Sequence, residues 1–514
     1  MIVSPTWPVA FGPGPVPPNL IEGPVNLAKW LLVVVAVSVG IQPAVAREDG
    51  RVDRLVAALL GDTPLISDLR ELTDIVGGRP TGSEANRRAV AWALARFEAA
   101  GVTARREPFT MPGLWLERSA GAVISGKNVT FPAPVAAMPF STGTPPAGVT
   151  AHLLDGGRGE AADFTRLGER ARGALVLVET SELLDIEGLF AEYGHAAAVE
   201  GRAFAAGVKG VIYMGSRPRG TLYRHNASLG EANEALMLVM SRMEAGRALR
   251  LLRAGHELQV TVTLDINSGP AYEAFNVVGE IPGTSSPEEF VVIGAHLDSW
   301  GLGTGALDNG CNVALVLDLA RQMKRLGIRP RRTIRFALFN GEEQGLHGSW
   351  GYVQTHAHEL DRHVMASSYD IGSGRITGFF TGGRPELAAA VERVLEPVRG
   401  LGPFTQIDAP IVGTDNYDFM MEGIGNLVGN HEPATYGPNY HAATDTFDKV
   451  DQRQLRLNAA VAAAVTLGFA EMDISWSRQS REQVQALIDS TDLDDQMKTF
   501  GLWDGWTSGE RGRR

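Results

Sequence analysis

The run V-V-I-G-A-H-L-D-S-W-G-L-G-T-G-A-L-D, residues 291–308, decides how the rest of the chain is read. It opens in a short, continuously apolar, β-branched segment (residues 290–293) closed by Gly294 and Ala295. Such a run predicts a strand buried on both faces, the habit of a parallel sheet. His296 and Asp298 follow at once, and Asp308 comes after a Gly-rich loop. Open α/β sheets bind their ligands at the carboxyl ends of the strands, so this imidazole and these carboxylates stand where chemistry is expected. They are also donors of the kind that zinc accepts.

Downstream, strands and helices alternate, as a βα-wound domain requires. Residues 276–281 and 333–339 read as strands, and Asn340-Gly341-Glu342-Glu343 follows the second directly. Residues 309–326 read as a helix with Val313, Val316, Leu317, Ala320 and Met323 on one face. A further strand at 364–369 ends at Asp370, and the loop N-Y-H-A-A-T-D-T brings in His441 before a last helix at 452–472. Upstream, Ser83 is placed as the N-cap of a helix whose apolar residues Val90, Ala93, Leu94 and Phe97 recur at helical spacing up to Gly101. Residues 146–264 carry their own strands and helices and no cluster of titratable groups, which reads as a self-contained insert for binding or shielding. Trp503 and Trp506 suggest that the C-terminal tail docks on the body.

With 514 residues the chain is too long for one compact core. A net charge of −12, from 47 basic and 59 acidic residues, argues against nucleic acid or an anionic membrane as the main partner. The single cysteine, Cys311, excludes an intrachain disulfide and a Cys-rich metal knuckle, so any zinc site must use His, Asp and Glu. Residues 30–41 form an apolar run after Lys29, followed by Ala44-Val45-Ala46, the pattern of a cleaved export signal too short to span a bilayer. The Pro/Gly-rich residues 1–24 fit a misassigned start, with translation beginning near Val25.

The polar residues just past the expected strand ends are His296, Asp298, Asp308, Glu342, Glu343 and Asp370, with His441 in the late loop. Each alone has a plainer reading; Asp308, for one, could be only the N-cap of the following helix. Together they converge, because strand ends of one parallel sheet lie side by side. Two zinc ions about 3.5–4 Å apart need two imidazoles, two terminal carboxylates and one bridging carboxylate. His296, Asp370, Glu343, His441 and Asp308 make up that set. Glu342 is read as the base that takes a proton from a metal-bridged water and hands it to the leaving amine. Asp298, two residues past His296, is placed to accept from its imidazole N–H. His431 is a rival for His441; His347, His356, His358 and His363 are expected at the surface, and His195 and His225 to stand alone.

The motifs G-A-H-L-D-S-W (294–300), G-A-L-D-N-G (305–310), F-N-G-E-E-Q-G (339–345), S-Y-D (368–370) and Y-H-A-A-T-D-T (440–446) resemble the zinc exopeptidases with co-catalytic metals. That family includes leucyl aminopeptidases, glutamate carboxypeptidases and carboxypeptidase Q, and the step from His296 to Asp308 is most similar to the last type. The resemblance implies a phosphorylase/hydrolase-like three-layer α/β/α catalytic domain with a mixed central sheet. R-G-A-L-V-L-V (172–178) and A-F-A-A-G-V-K-G-V-I-Y (203–213) resemble an inserted, mainly-β protease-associated domain. The implied organisation is a signal peptide at 1–46, the N-terminal part of the peptidase domain at 47–140, the insert at 141–268, the catalytic domain at 269–474 and a tail at 475–514.

By the same resemblance Asp308 would bridge two Zn2+, His296 and Asp370 would complete one, and Glu343 and His441 the other. Glu342 would be the general base, Asp298 the orienting carboxylate, and Tyr440 a donor to the oxyanion. The implied activity is exopeptidase hydrolysis of dipeptides or short peptides by a secreted or periplasmic protein. No nucleic-acid partner and no membrane contact beyond the export signal are expected, and a homodimer is compatible with the chain. Around Thr414-Asp415-Asn416-Tyr417 the sequence departs from the family's substrate wall, which leaves side-chain preference and aminopeptidase against carboxypeptidase action open. Two other readings compete: a non-catalytic binding protein on the same fold, as the transferrin receptor is, and a glutaminyl-cyclase-type acyl transferase with one metal.

Overall fold

The computed structural model describes residues 50–183, 186–224 and 233–514. The expected export signal, the start near Val25 and His225 lie outside these residues. Among them no helix is long and apolar enough to cross a membrane.

Two sheets organise the chain. Its strands are β1 (Thr103–Met111), β2 (Leu114–Gly126), β3 (Val129–Pro132), β4 (Val135–Ala137), β5 (Val149–Asp155), β6 (Leu175–Val178), β7 (Gly210–Met214) and β8 (Leu236–Met240). They continue as β9 (Leu258–Gly269), β10 (Tyr272–Ile281), β11 (Ser286–His296), β12 (Arg332–Phe339), β13 (His363–Ser368), β14 (Ile376–Phe380) and β15 (Asn426–His431). The first sheet runs β1-β10-β12-β11-β13-β15-β14. Its centre, β12-β11-β13-β15, is parallel, and its outer pairs are antiparallel, so the central sheet is mixed as expected. β12 is buried along its whole length, its apolar Ile334 and Phe336 to Phe339 together with the polar Arg332, Thr333 and Arg335. The helices Cys311–Arg325 and Gln452–Glu471 pack on the sheet in the largest apolar core. The first of them buries twelve side chains all round, more than the single apolar face its spacing predicts, because it is itself covered by Leu55, Leu65 and Leu69.

The second sheet runs β3-β2-β9-β5-β6-β7-β8-β4. The expected boundary at residue 141 falls inside it: β2 pairs with β9 from Leu114↔Gly269 to Gly126↔Leu258. This part therefore begins near Leu114, and the long β2–β9 ribbon joins it to the first sheet. Its parallel strands β5 to β8 carry helices, among them Ile186–Ala205 and Arg242–Arg253, so it holds helices as well as strands.

The tail docks, as its tryptophans suggested. Helices Arg481–Ser490, Leu493–Thr499 and Trp503–Ser508 bury Val484, Leu493, Met497 and Trp506 against Leu346, Val412, Tyr417 and Met421.

Candidate metal and catalytic centre

Register alone gathers most of the site. His296, the last residue of β11, pairs with Phe339, the last of β12, and Gly294 pairs with Ser368, the last of β13. The residues that follow each strand, Asn340 to Glu343 and Tyr369-Asp370, therefore leave the sheet beside His296. Asp308 comes up through the loop after β11, and His441 from the loop before the helix Gln452–Glu471.

The side chains meet. His296 Nε2 lies 3.1 Å from Asp308 Oδ1 and 3.0 Å from Asp370 Oδ1. His441 Nε2 lies 3.3 Å from Asp308 Oδ2 and 2.8 Å from Glu343 Oε2. Asp308 thus turns one oxygen to each imidazole, and each imidazole has a second carboxylate of its own. Glu342 Oε2 stands 3.9 Å from His296 Nε2. Two sets, His296–Asp308–Glu343 and His296–Glu342–Asp370, bring one ligand atom each to within 4.8 Å of one another.

The other face of each imidazole is held by a carbonyl. His296 Nδ1 is 3.1 Å from the backbone oxygen of Asp298 and 3.6 Å from its carboxylate. The carboxylate of Asp298 is instead engaged through Oδ2, which accepts from Thr81 Oγ1 at 2.8 Å and from the Gly341 amide at 3.0 Å. It ties the loop after β11 to the Glu342 turn. His441, at a left-handed φ of 55°, has Nδ1 3.1 Å from the carbonyl of Arg224, and the Arg224 amide donates back to the carbonyl of His441. A strip of the second sheet's domain is thus zipped onto the ligand loop, with Tyr223 bridging Ala442.

Two buried residues that sequence reasoning passed over hold the loop of residues 297–308. Asp445 accepts the amides of Ala306, Leu307 and Asp308. Arg79 donates to the carbonyls of Leu297, Thr304, Gly305 and Gly77. Asp445 had a signal in its T-D-T motif; Arg79 sits in the turn G-G-R-P-T-G, whose Gly and Pro mark an ordered connection.

Asp298, Asp308, Glu343, Asp370, Asp415 and Asp445 are all buried here, with Glu342 half-buried at the rim, against Arg79 and two imidazoles. Burial pushes Glu343 up to about 7 and Asp445 up to about 7, and it drives Glu342 well above the carboxylate range, with Asp370 and Glu343 adding to it. Burial disfavours the charge on the imidazoles too, but Asp370 and Glu342 outweigh it at His296, and Glu343 with Asp308 raises His441 to about 9. Asp308 is held below its ordinary value, against burial, by His296 and His441. So many buried anions are costly without further positive charge. Asp308 Oδ2 is in addition buried without a hydrogen-bond partner. Two imidazole nitrogens and three or four carboxylates around such an atom fit a pair of divalent cations.

The competing histidines fall out differently than expected. His431 is buried at the end of β15 and is not among the groups that meet here. His356 and His363, expected in solvent, are buried: His356 sits between Glu107 and Glu359, and His363 Nε2 is 3.0 Å from the Tyr352 hydroxyl. Arg335 on β12 draws Glu359 and His356 inward. His358 is exposed as expected. His347, expected at the surface, is half-buried and faces a cavity of about 350 Å3 that opens onto Glu342, Glu343, Tyr440 and His441. Tyr440 stacks on His441 with ring centroids 3.7 Å apart, and its hydroxyl is 3.0 Å from that of Tyr193. His195 borders a separate cavity of about 310 Å3.

Residues 276–466 match the model of peptidase family M28. This span of the chain is similar to that family. The chain is a peptidase on this similarity, and the match spans all the residues of the cluster. The chain is 26% identical over 411 residues to carboxypeptidase Q of Homo sapiens, covering 78% of this chain and 84% of that protein. It is 28% identical to a probable lipoprotein aminopeptidase of Mycobacterium tuberculosis, with the same coverage. A solved peptidase M28 precursor from Shewanella amazonensis superimposes with a TM-score of 0.74 at 26% identity, covering 82% of this chain and 96% of that one.

Proposed function

We propose that this peptidase is an exported, zinc-dependent exopeptidase that hydrolyses dipeptides and short peptides with two zinc ions. The observation that carries this reading is Asp308, whose two oxygens face His296 and His441 at 3.1 and 3.3 Å while Asp370 and Glu343 back the two imidazoles. His296, Asp370 and Asp308 would hold one ion, and His441, Glu343 and Asp308 the other. Bound there, zinc would supply the positive charge that acidifies a water and polarises the scissile carbonyl.

The chain's own residues do the rest. Glu342 reaches into the same space from the turn after β12, and its raised affinity for a proton suits a group that takes one from water and returns it to the leaving amine. Asp298 is a positioning residue: it fixes the orientation of the His296 ring through its carbonyl and the Glu342 turn through its carboxylate. The Tyr440 hydroxyl, 3.0 Å from that of Tyr193, would donate to the carbonyl oxygen as it gains charge.

The experiment is a cleavage panel of N-blocked, C-blocked and free dipeptides on metal-counted protein. Two zinc ions per chain and hydrolysis lost on chelation are expected. The blocked substrates report which terminus is read, the point that separates aminopeptidase from carboxypeptidase action. One metal per chain with no peptide hydrolysed would overturn the reading. Export is tested by sequencing the mature N-terminus, expected just after Ala46.

A further inference from the structure

Around the cavity beside Glu342, stretches far apart in sequence make the wall. Phe140 and Tyr193 come from the second sheet's domain, residues 342–347 from the turn after β12, and residues 499–502 with Arg511 from the tail. The tail's share is built in. Arg511 makes two bonds to Asp418, at 2.7 and 2.8 Å, and donates to the carbonyls of Gly345 and Leu346, the residues that follow the Glu342–Gln344 turn. Gln496 accepts the Val412 amide at 2.9 Å, next to Gly413 on the cavity rim. Phe500 packs on Tyr193 with ring centroids 5.4 Å apart, and Tyr193 touches Tyr440. An aromatic bridge from the tail to the ligand loop therefore crosses one side of the cavity. The family match ends at residue 466, before the tail's part of this wall begins.

We infer that the tail is a specificity element: its turn at residues 499–502, braced on Tyr193, forms the end wall of the pocket for the substrate's terminal residue. The inference rests on the peptidase reading above and deepens it. A wall on one side admits a chain end and stops a chain that continues, which is what restricts a hydrolase to terminal residues. Its lining by Phe140, Leu346, Phe500 and Leu502 selects an apolar or aromatic side chain there. Phe500 is half-buried and outside the metal cluster, so its truncation opens space without touching a ligand.

The test uses the full chain loaded with zinc. Phe500→Ala and Thr499→Trp are compared with wild type on Phe- and Ala-containing dipeptides and on matched pentapeptides. Phe500→Ala is expected to raise kcat/KM for pentapeptide relative to dipeptide about tenfold, or about 1.4 kcal/mol. Thr499→Trp, which fills the pocket, is expected to cut the Phe dipeptide relative to the Ala dipeptide by about as much. A readout free of turnover is amide hydrogen exchange over residues 493–511, expected to slow when a non-hydrolysable phosphinic dipeptide binds. Ratios within twofold of wild type in both variants, with exchange unchanged, overturn the inference while leaving the peptidase reading intact. A wild type that cleaves no peptide sinks that reading, and the inference with it.

Discussion

Replacing Arg79 by lysine keeps the charge and removes the fork. The guanidinium is completely buried, and it donates through Nε to Leu297 at 2.5 Å, through Nη1 to Thr304 at 2.8 Å and Gly77 at 3.4 Å, and through Nη2 to Gly305 at 3.0 Å. Three of these carbonyls, those of Leu297, Thr304 and Gly305, lie along the loop that separates His296 from Asp308, and Gly77 belongs to the turn that carries Arg79. An ammonium has three hydrogens at one point and cannot span them, so at least two carbonyls lose their donor. Each buried acceptor left unpaired costs about 1–3 kcal/mol, giving a loss of about 2–4 kcal/mol after partial relaxation. Because the loop carries Asp308, metal affinity should fall as well, by about 10–100-fold. Urea unfolding of metal-loaded protein and competition with a chromogenic chelator read the two quantities separately. A lysine variant within 0.5 kcal/mol of wild type, with the same metal affinity, would refute the view that Arg79 positions the loop.

Glu342→Gln should keep the metal content of wild type and lose about 10²–10⁴ in kcat; retained turnover would remove Glu342 as the base. Chelation should lower the melting temperature, since an excess of metal about a thousandfold over Kd stabilises by about 4 kcal/mol. Glu343 and Asp445 are pushed up to about 7 by burial, so in the stripped protein they favour the fold below the ordinary carboxylate range and oppose it as pH rises towards 7. The gap between loaded and stripped protein should therefore widen from pH 5 to 7.5; a constant gap argues against it. Burial pushes His363 down to about 3, so its contribution to stability is complete above about pH 6.5 and is lost as pH falls towards 3. In His363→Gln the fall in unfolding free energy between pH 6 and 4 should be shallower by about 1.4 kcal/mol per pH unit, and an unchanged slope would contradict a neutral, buried His363.

What could be read from the sequence was whatever depends on local periodicity and on the geometry of one sheet. The apolar runs at 290–293 and 333–339 predict parallel central strands, and from that alone His296, Glu342, Glu343 and Asp370 have to emerge together. What could not be read depends on distant pairing. β2 looks like an isolated strand piece until Leu258–Gly269 lies beside it, more than a hundred residues later, so its place in the second sheet is not legible locally. Nothing local tells that Tyr223 and Arg224 pair with residues 441–443, so the sequence leaves the second sheet's domain remote from the candidate ligands. The stretch H-A-H-E-L-D-R-H (356–363) is polar and reads as solvated. The overlooked signal lay in β12, where Arg335 interrupts the apolar run from Ile334 to Phe339 and, being buried, demands buried partners; Glu359 and His356 provide them.

The anchors of the site share one chemical habit. Asp445 takes three backbone amides, Arg79 gives to four backbone carbonyls, Arg511 gives to two more beside the Glu342 turn, and His441 is fixed by the carbonyl of Arg224. A buried side-chain charge satisfied by main chain fixes the path of a loop whatever side chains the loop carries. Ligand placement is thereby largely separated from loop sequence, and a residue such as Gly303 need only fit, not bond. The consequence for the enzyme is that its ligands and its precision come from different places. Residues 276–466 hold every candidate ligand, yet Arg79 lies before them, Arg224 and Tyr193 in the second sheet's domain, and Arg511 after them. A chain cut back to the matched span would keep all five candidate ligand side chains and lose these four outside residues, so its metal affinity and turnover should fall even where its central sheet still folds.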